Sequence, residues 1–310
     1  MRVVEVPSRA ALGDEPADLL AALGGPALFR VAGVDRSRCR AVVTLLHGNE
    51  PSGLVALHRW LRGGERPAVD VVCVVAAVEA ARRPPGFAHR MLPGEPDLNR
   101  CFVPPRGELA ASILDELRAA RCEALVDLHN TTGRTRPYGI GVLLDPVRLG
   151  LVSLFAPRYV HMNVRVGALV EALESELPAV VIECGRAGDP AADEIAYQGL
   201  RRFVAGQTGV DTIFTVFEAT SRVVLKPGAE LIPDLDQFNL VQLDAGAPLG
   251  PLAGDRIPFE PEELFEVRDG VLVTRCPLAL VMMTHDPAVA SSDCVGYVAR
   301  STRTSEVRAL

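Results

Sequence analysis

Four apolar runs constrain this chain more than any other feature: Ala41–Leu46, Asp70–Val78, Ala124–Leu128 and Ala179–Glu183. A strand with one wet face alternates apolar and polar residues. These runs do not alternate, so each reads as a strand covered on both faces. Between them lie segments with apolar residues at helical spacing: Leu54–Leu61, Glu108–Arg121 and stretches near 146–156, 165–177 and 191–206, after a first helix at 16–24. Strands are also expected at Ala27–Val34, Tyr138–Leu144 and Tyr159–Asn163. Strand alternating with helix implies an α/β architecture, a mainly parallel mixed sheet with helices on both faces. Residues 62–67 and 82–96, rich in Pro, Gly and Arg, read as loops.

After Phe217 the texture changes. Short strand-like pieces (Arg222–Leu225, Leu240–Leu243, Gly270–Thr274, Leu278–Met283) are separated by Pro, Gly and Asp. We therefore expect an α/β domain over residues 1–218 and a smaller, mostly β domain over 219–310.

Composition excludes several classes. With 48% hydrophobic and 23% charged residues, the chain reads as a soluble globular protein. No apolar run approaches the roughly 20 residues that cross a bilayer, and the N-terminus lacks a signal-peptide pattern, so a cytoplasmic location without a membrane partner is expected. A net charge of -7 argues against a nucleic-acid partner. Lys226 is the only lysine among 32 basic residues, so an arginine here carries little meaning unless its position adds some. The seven cysteines (39, 73, 101, 122, 184, 276, 294) form no C-x-x-C and sit mostly in apolar runs. Neither a disulfide framework nor a thiolate metal site is expected.

In a sheet of this kind ligands bind beyond the carboxyl ends of the strands, and three such ends carry chemistry. The first is His47-Gly48-Asn49-Glu50, where two metal-ligand types three residues apart leave a strand on one turn. Alone, such a pair is better explained by a solvated turn. The second is Asp127-Leu128-His129-Asn130. Strand residues i and i+2 share a face, so Asp127 can orient His129 through its ring. The structural alternative is a strand-end histidine bonded to a loop. Two histidines, a carboxylate and a water together make an open catalytic zinc site. The third end is Glu183-Cys184-Gly185. A carboxylate closing a buried strand is costly without a partner, and a partly desolvated Glu beside an activated water suits a general base. The alternative is an ion pair with Arg186. Cys184 should face the other way and pack. A fourth stretch, Asp97-Leu98-Asn99-Arg100-Cys101-Phe102, offers an adjacent Asn and Arg for a substrate carboxylate. Arg90, upstream of it, could stabilise an oxyanion.

In their order, HGNEPSG, DLNRCF, DLHNTTG and IECG resemble motifs of the aspartoacylase/succinylglutamate desuccinylase family, a branch of the zinc carboxypeptidase-like hydrolases. A further stretch, Ile232–Phe238 to Gly246–Leu249, resembles part of that family's C-terminal β domain, so the likeness covers roughly residues 41–250. The resemblance implies that His47, Glu50 and His129 hold one Zn2+ per chain, and that Glu183 activates the attacking water. It also implies that Asn99 and Arg100 bind the substrate carboxylate and that Arg90 polarises the scissile carbonyl. The wording of DLHNTT leans toward the aspartoacylase side. Two departures stand out. Ala76–Ala80 replaces an Asn-Pro loop start, and Arg90 is followed by Met91 with extra residues before Asp97. For the substrate-binding tyrosine of aspartoacylases, Tyr297 is the candidate.

The expected activity is zinc-dependent hydrolysis of the amide bond of a small N-acyl amino acid. A zinc carboxypeptidase acting on short peptides is the alternative, followed by a non-catalytic binding protein with a vestigial site. A narrow, arginine-lined site would favour acyl amino acids and an apolar side-chain pocket would favour peptides. The sequence leaves homo-oligomerisation open.

Overall fold

The structure is a computed structural model and describes residues 1–252, 254 and 256–307. Its first part runs β1 (Arg2–Val3), α1 (Pro16–Leu23), β2 (Ala27–Val31), β3 (Asp35–Thr44), α2 (Ser52–Gly63), β4 (Val69–Val75), α3 (Val78–Arg82), α4 (Glu108–Ala120), β5 (Leu125–Thr131) and β6 (Tyr138–Gly141). It continues with α5 (Pro146–Ser153), β7 (Arg158–Met162), α6 (Leu169–Ala172), β8 (Ala179–Arg186), α7 (Pro190–Val204) and β9 (Thr212–Leu225). The remainder is mostly strand: β10 (Val241–Leu243), β11 (Pro248–Pro251), β12 (Phe259–Glu260), β13 (Phe265–Arg268), β14 (Val271–Thr274), β15 (Leu278–Val281), α8 (Pro287–Ser292) and β16 (Gly296–Val307).

Thirteen strands make one mixed sheet in the order β1-β2-β4-β3-β5-β8-β6-β7-β9-β16-β15-β10, with β12 beside β9. Its centre, β4-β3-β5-β8, is parallel, as the continuous apolar runs require. Helices cover both faces. Val42, Val126 and Val180 face α1, α2 and α7 in one core that buries Trp60 and Phe203. Ala41, Val43, Leu125 and Val181, one residue out of phase, face α4 and α6 in the second. A third core fills the C-terminal β region, where β11, β14 and β13 form a separate small sheet.

Three expectations differ from the structure. The helix expected over 165–177 shrinks to the single turn α6, because the Glu171 carboxylate binds the amides of Val166 and Gly167. Strand β9 begins at Thr212, well before the expected Arg222, and β16 was not anticipated at all. The residue pattern of β9 mixes buried and exposed positions among Thr, Ser and Arg, which hides its period. The change of texture placed at 218/219 falls inside β9. This strand pairs parallel with β7 and antiparallel with β16, so the sheet changes sense there without interruption.

The turn after β3 is shaped by space. Leu45, with φ 54°, ends the strand in a left-handed conformation that costs a non-glycine residue about 1–2 kcal/mol, and its carbonyl accepts from Ala77 N at 2.6 Å. Gly48 donates to Arg90 O at 2.8 Å. Neither Gly48 nor Gly53 has a left-handed φ, so the need for glycine is close approach, not a bend. A Cβ on Gly48 would lie 2.6 Å from Ala81 N and 2.7 Å from His89 O, and one on Gly53 2.3 Å from Thr44 Oγ1. Because the atoms facing Gly48 are backbone, Gly48→Ala should destabilise the fold by about 1–3 kcal/mol, read as a lower urea midpoint. An unchanged midpoint would show that the loop carrying Arg90 yields freely.

Candidate metal centre

Strands β3, β5 and β8 are neighbours, and their carboxyl ends bring the expected residues together. His47 and Glu50 lie on the turn between β3 and α2. His129 and Glu183 are register partners on β5 and β8. Both strands run a little further than expected, to Thr131 and Arg186, so these two side chains leave from within strands.

Glu50 sits between the two histidines. Its Oε1 is 2.8 Å from His47 Nδ1 and its Oε2 is 2.7 Å from His129 Nδ1. The rings meet edge to face with centroids 5.2 Å apart. The three side chains are buried, and one ligand atom from each lies within 4.8 Å of the others.

The opposite ring nitrogens face two further carboxylates. His47 Nε2 lies 2.9 Å from Asp97 Oδ1, and His129 Nε2 lies 3.0 Å from Asp127 Oδ2. The second contact is close but poorly directed, because neither atom has a partner of hydrogen-bond geometry. Both Asp contacts favour the proton on Nε2 and leave Nδ1 with its lone pair, a tautomer assigned from partners rather than from a visible hydrogen. Lone pairs on both Nδ1 atoms then confront the two oxygens of Glu50. That arrangement is repulsive unless a cation, either a proton or a metal ion, is shared among them.

The electrostatics agree. Burial pushes Glu50 upward, but the His47 and His129 charges outweigh it and hold its carboxyl well below the usual range. Burial works against a charged His129, and Asp127 and Glu50 overcome that to hold its pKa well above the ordinary value. Two imidazole nitrogens and a carboxylate, each histidine backed by a second carboxylate, suit zinc.

Glu183 stands one strand over. Its Oε2 is buried without a hydrogen-bond partner among the described residues. Burial raises its pKa to about 7, with the charge on His129 opposing the rise. The alternative pairing with Arg186 does not form among the described residues, and Arg186 is exposed. Cys184, as expected, packs in the core on the other face.

The metal residues and Glu183 line one cavity of about 140 Å³, together with Arg90, Asn99, Arg100 and Tyr297. Arg90 ties the site together, with Nη1 3.2 Å from Glu50 Oε1 and Nη2 2.8 Å from Asp97 Oδ2. Asn99 accepts from Leu169 N at 3.0 Å, which fixes the start of α6. Arg100 donates to Asn99 O at 3.0 Å and to Asp293 Oδ2 at 2.6 Å.

Sequence reading missed two participants. Asn130 donates its backbone N–H to Glu50 Oε2 at 3.2 Å and its side-chain Nδ2 to Ser52 Oγ and Gly185 O, while its Oδ1 accepts from Ser52 N. One amide thus links the Glu50 turn, β5 and β8. A polar residue following His129 in a buried strand was the available signal. Asp293 lies far away in sequence, after α8, and no local pattern marks it.

Removing an outer carboxylate should weaken the metal more than the fold. Asp97→Asn should lower zinc affinity about 10–100-fold in a chelator competition. Unchanged affinity would mean that Asp97 does not support His47 as a ligand.

No family model and no curated protein sequence matches the chain. Solved structures do match. A succinylglutamate desuccinylase from Chromobacterium violaceum has TM-score 0.66 and 16% identity, covering 97% of this chain and 99% of its own. A succinylglutamate desuccinylase/aspartoacylase from Rhodobacter sphaeroides has TM-score 0.59 and 18% identity, covering 89% of each chain. A mutant of murine aminoacylase 3 has TM-score 0.58 and 17% identity, covering 89% of this chain and 98% of its own. The chain therefore has the fold of the structures whose family its motifs resemble.

Proposed function

We propose that this chain is a zinc-dependent amidohydrolase of the aspartoacylase/succinylglutamate desuccinylase type, which removes the acyl group from a small N-acyl amino acid. The carrying observation is the convergence of His47 Nδ1, His129 Nδ1 and Glu50 beside a buried, unpartnered Glu183 oxygen. The solved structures with this fold support the reading, since they include a succinylglutamate desuccinylase and an aminoacylase 3.

His47, Glu50 and His129 would hold one zinc ion. Bound there, the ion would acidify water and polarise the scissile carbonyl. Glu183 takes the proton from the attacking water and passes it to the leaving amine. A carboxylate with a pKa near 7 suits both halves of that transfer. Arg90 lies beside Glu50 and steadies the charge that develops on the carbonyl oxygen. Asn99 and Arg100 orient the substrate from the other wall.

The cavity is small and is bounded on its C-terminal side by Met282, Val289 and Tyr297. This favours a short acyl amino acid over a peptide. The convergence of His47, Glu50, His129 and Glu183 on one cavity supports catalysis over a vestigial binding site. No helix among the described residues is long and apolar enough to cross a membrane.

Glu183→Gln tests the assignment. The variant should retain zinc while kcat for amine release falls about 10²–10⁴-fold. Undiminished turnover would remove Glu183 from the chemistry. Loss of zinc along with turnover would instead make it part of the metal site.

A further inference from the structure

The cavity's charges do not match a substrate with two carboxylates. Four carboxylates line it (Glu50, Glu171, Glu183 and Asp293), against two guanidiniums, Arg90 and Arg100. Both guanidiniums are already paired with protein carboxylates, with part of each left over. Arg90 is committed to Glu50 and Asp97. Arg100 gives Nη2 to Asp293 Oδ2 at 2.6 Å and Nη1 to Asn99 O at 3.0 Å. Its Nε is buried and unpartnered among the described residues.

A carboxylate reads an arginine best through two parallel N–H groups. On the Nε/Nη2 edge of Arg100, Asp293 already occupies one of them. Arg222 binds the other oxygen of Asp293 and keeps that carboxylate in place. Three of the five Arg100 N–H groups remain, but Asp293 and the Asn99 carbonyl each take one of its two terminal nitrogens, so a second carboxylate would have to compete with Asp293 for a paired grip.

The wall beside Glu183 is apolar. Ile140, Val142, Met162, Val170, Val181 and Val289 line the cavity. Val181 stands two residues before Glu183 on β8 and so shares its face, and Ile140 on β6 is its register partner. An ionised group against this wall would lose its hydration and gain no partner. An aliphatic group would lose nothing.

We propose that Asp293 is a specificity-determining residue: by holding Arg100 it turns the site against dianionic acyl amino acids and leaves it selective for monoanionic ones. Their uncharged, apolar side chain or acyl chain lies on the Ile140–Val181 wall. The inference rests on the deacylase reading above and names its substrate class.

The test compares zinc-loaded full-length protein and Asp293→Asn on four amides: N-acetyl-L-leucine, N-hexanoylglycine, N-acetyl-L-aspartate and N-succinyl-L-glutamate. Amine release and the ligand-induced shift in melting temperature are measured for each. The wild type should favour the better of the two apolar compounds by about 100-fold in kcat/KM over both dianions. Whichever apolar compound wins tells whether the side chain or the acyl chain occupies the wall. Asp293→Asn should narrow that gap about tenfold, chiefly through a lower KM for the dianions. A wild type that prefers a dianion overturns the inference, and so does an unchanged gap in a variant that melts normally. If the variant does not fold, the wild-type ratio alone decides. Failure of all four as substrates counts against the deacylase reading. The melting shifts then judge the inference separately: stabilisation by N-acetyl-L-leucine but not by N-acetyl-L-aspartate supports it, and the reverse overturns it.

Discussion

Everything in this site depends on one buried carboxylate. Glu50 is held away from water, where an isolated charge would cost far more than a fold can spare. It is tolerated because the backbone N–H of Asn130 and the Arg90 guanidinium donate to it, and because the Nδ1 atoms of His47 and His129 stand where a cation shared with the carboxylate offsets its charge. Those groups come from the turn after β3, from β5 and from the loop before Asp97. Satisfying Glu50 therefore fixes how these segments sit together. The same demand fixes the ring faces, because each histidine can offer Nδ1 inward only if its Nε2 finds something outside. Asp97 and Asp127 are that something.

The sheet supplies the precision. Parallel strands β3, β5 and β8 end side by side, so residues distant in sequence arrive at one edge in register. Glycine keeps the segments close where a side chain would part them, as at Gly48 against the backbone of Ala81 and His89. Asn130 then ties two of the strand ends and the Glu50 turn with a single amide. A change at any of these positions reaches the chemistry through geometry, without touching a reacting atom.

The centre of the fold was legible in the sequence because its signals are local. Short continuous Val, Ala and Leu runs set between helical segments fit strands covered on both faces, and His47, Glu50, His129 and Glu183 each lie at or near the end of one. The i, i+2 relation of Asp127 and His129 likewise needed nothing beyond strand geometry, although their contact, close at 3.0 Å, lacks hydrogen-bond geometry. What could not be read was set by tertiary context. The mixed surface of β9 gives no clean period. Glu171 unwinds a helix that residues 165–177 would otherwise support. The pairing of Arg100 with Asp293 joins positions nearly two hundred residues apart. The arginine was visible and its occupation was not.

The central claim is that His47, Glu50 and His129 hold a metal ion through the inward ring nitrogens. Anomalous diffraction from crystals of zinc-loaded protein, recorded on both sides of the zinc absorption edge, tests it most directly. The account predicts a single strong peak per chain, bonded to Nδ1 of His47, Nδ1 of His129 and the Glu50 carboxylate, with Asp97 and Asp127 still behind the outer nitrogens. A peak bound through Nε2, a peak elsewhere in the chain, or none at full zinc loading would contradict it.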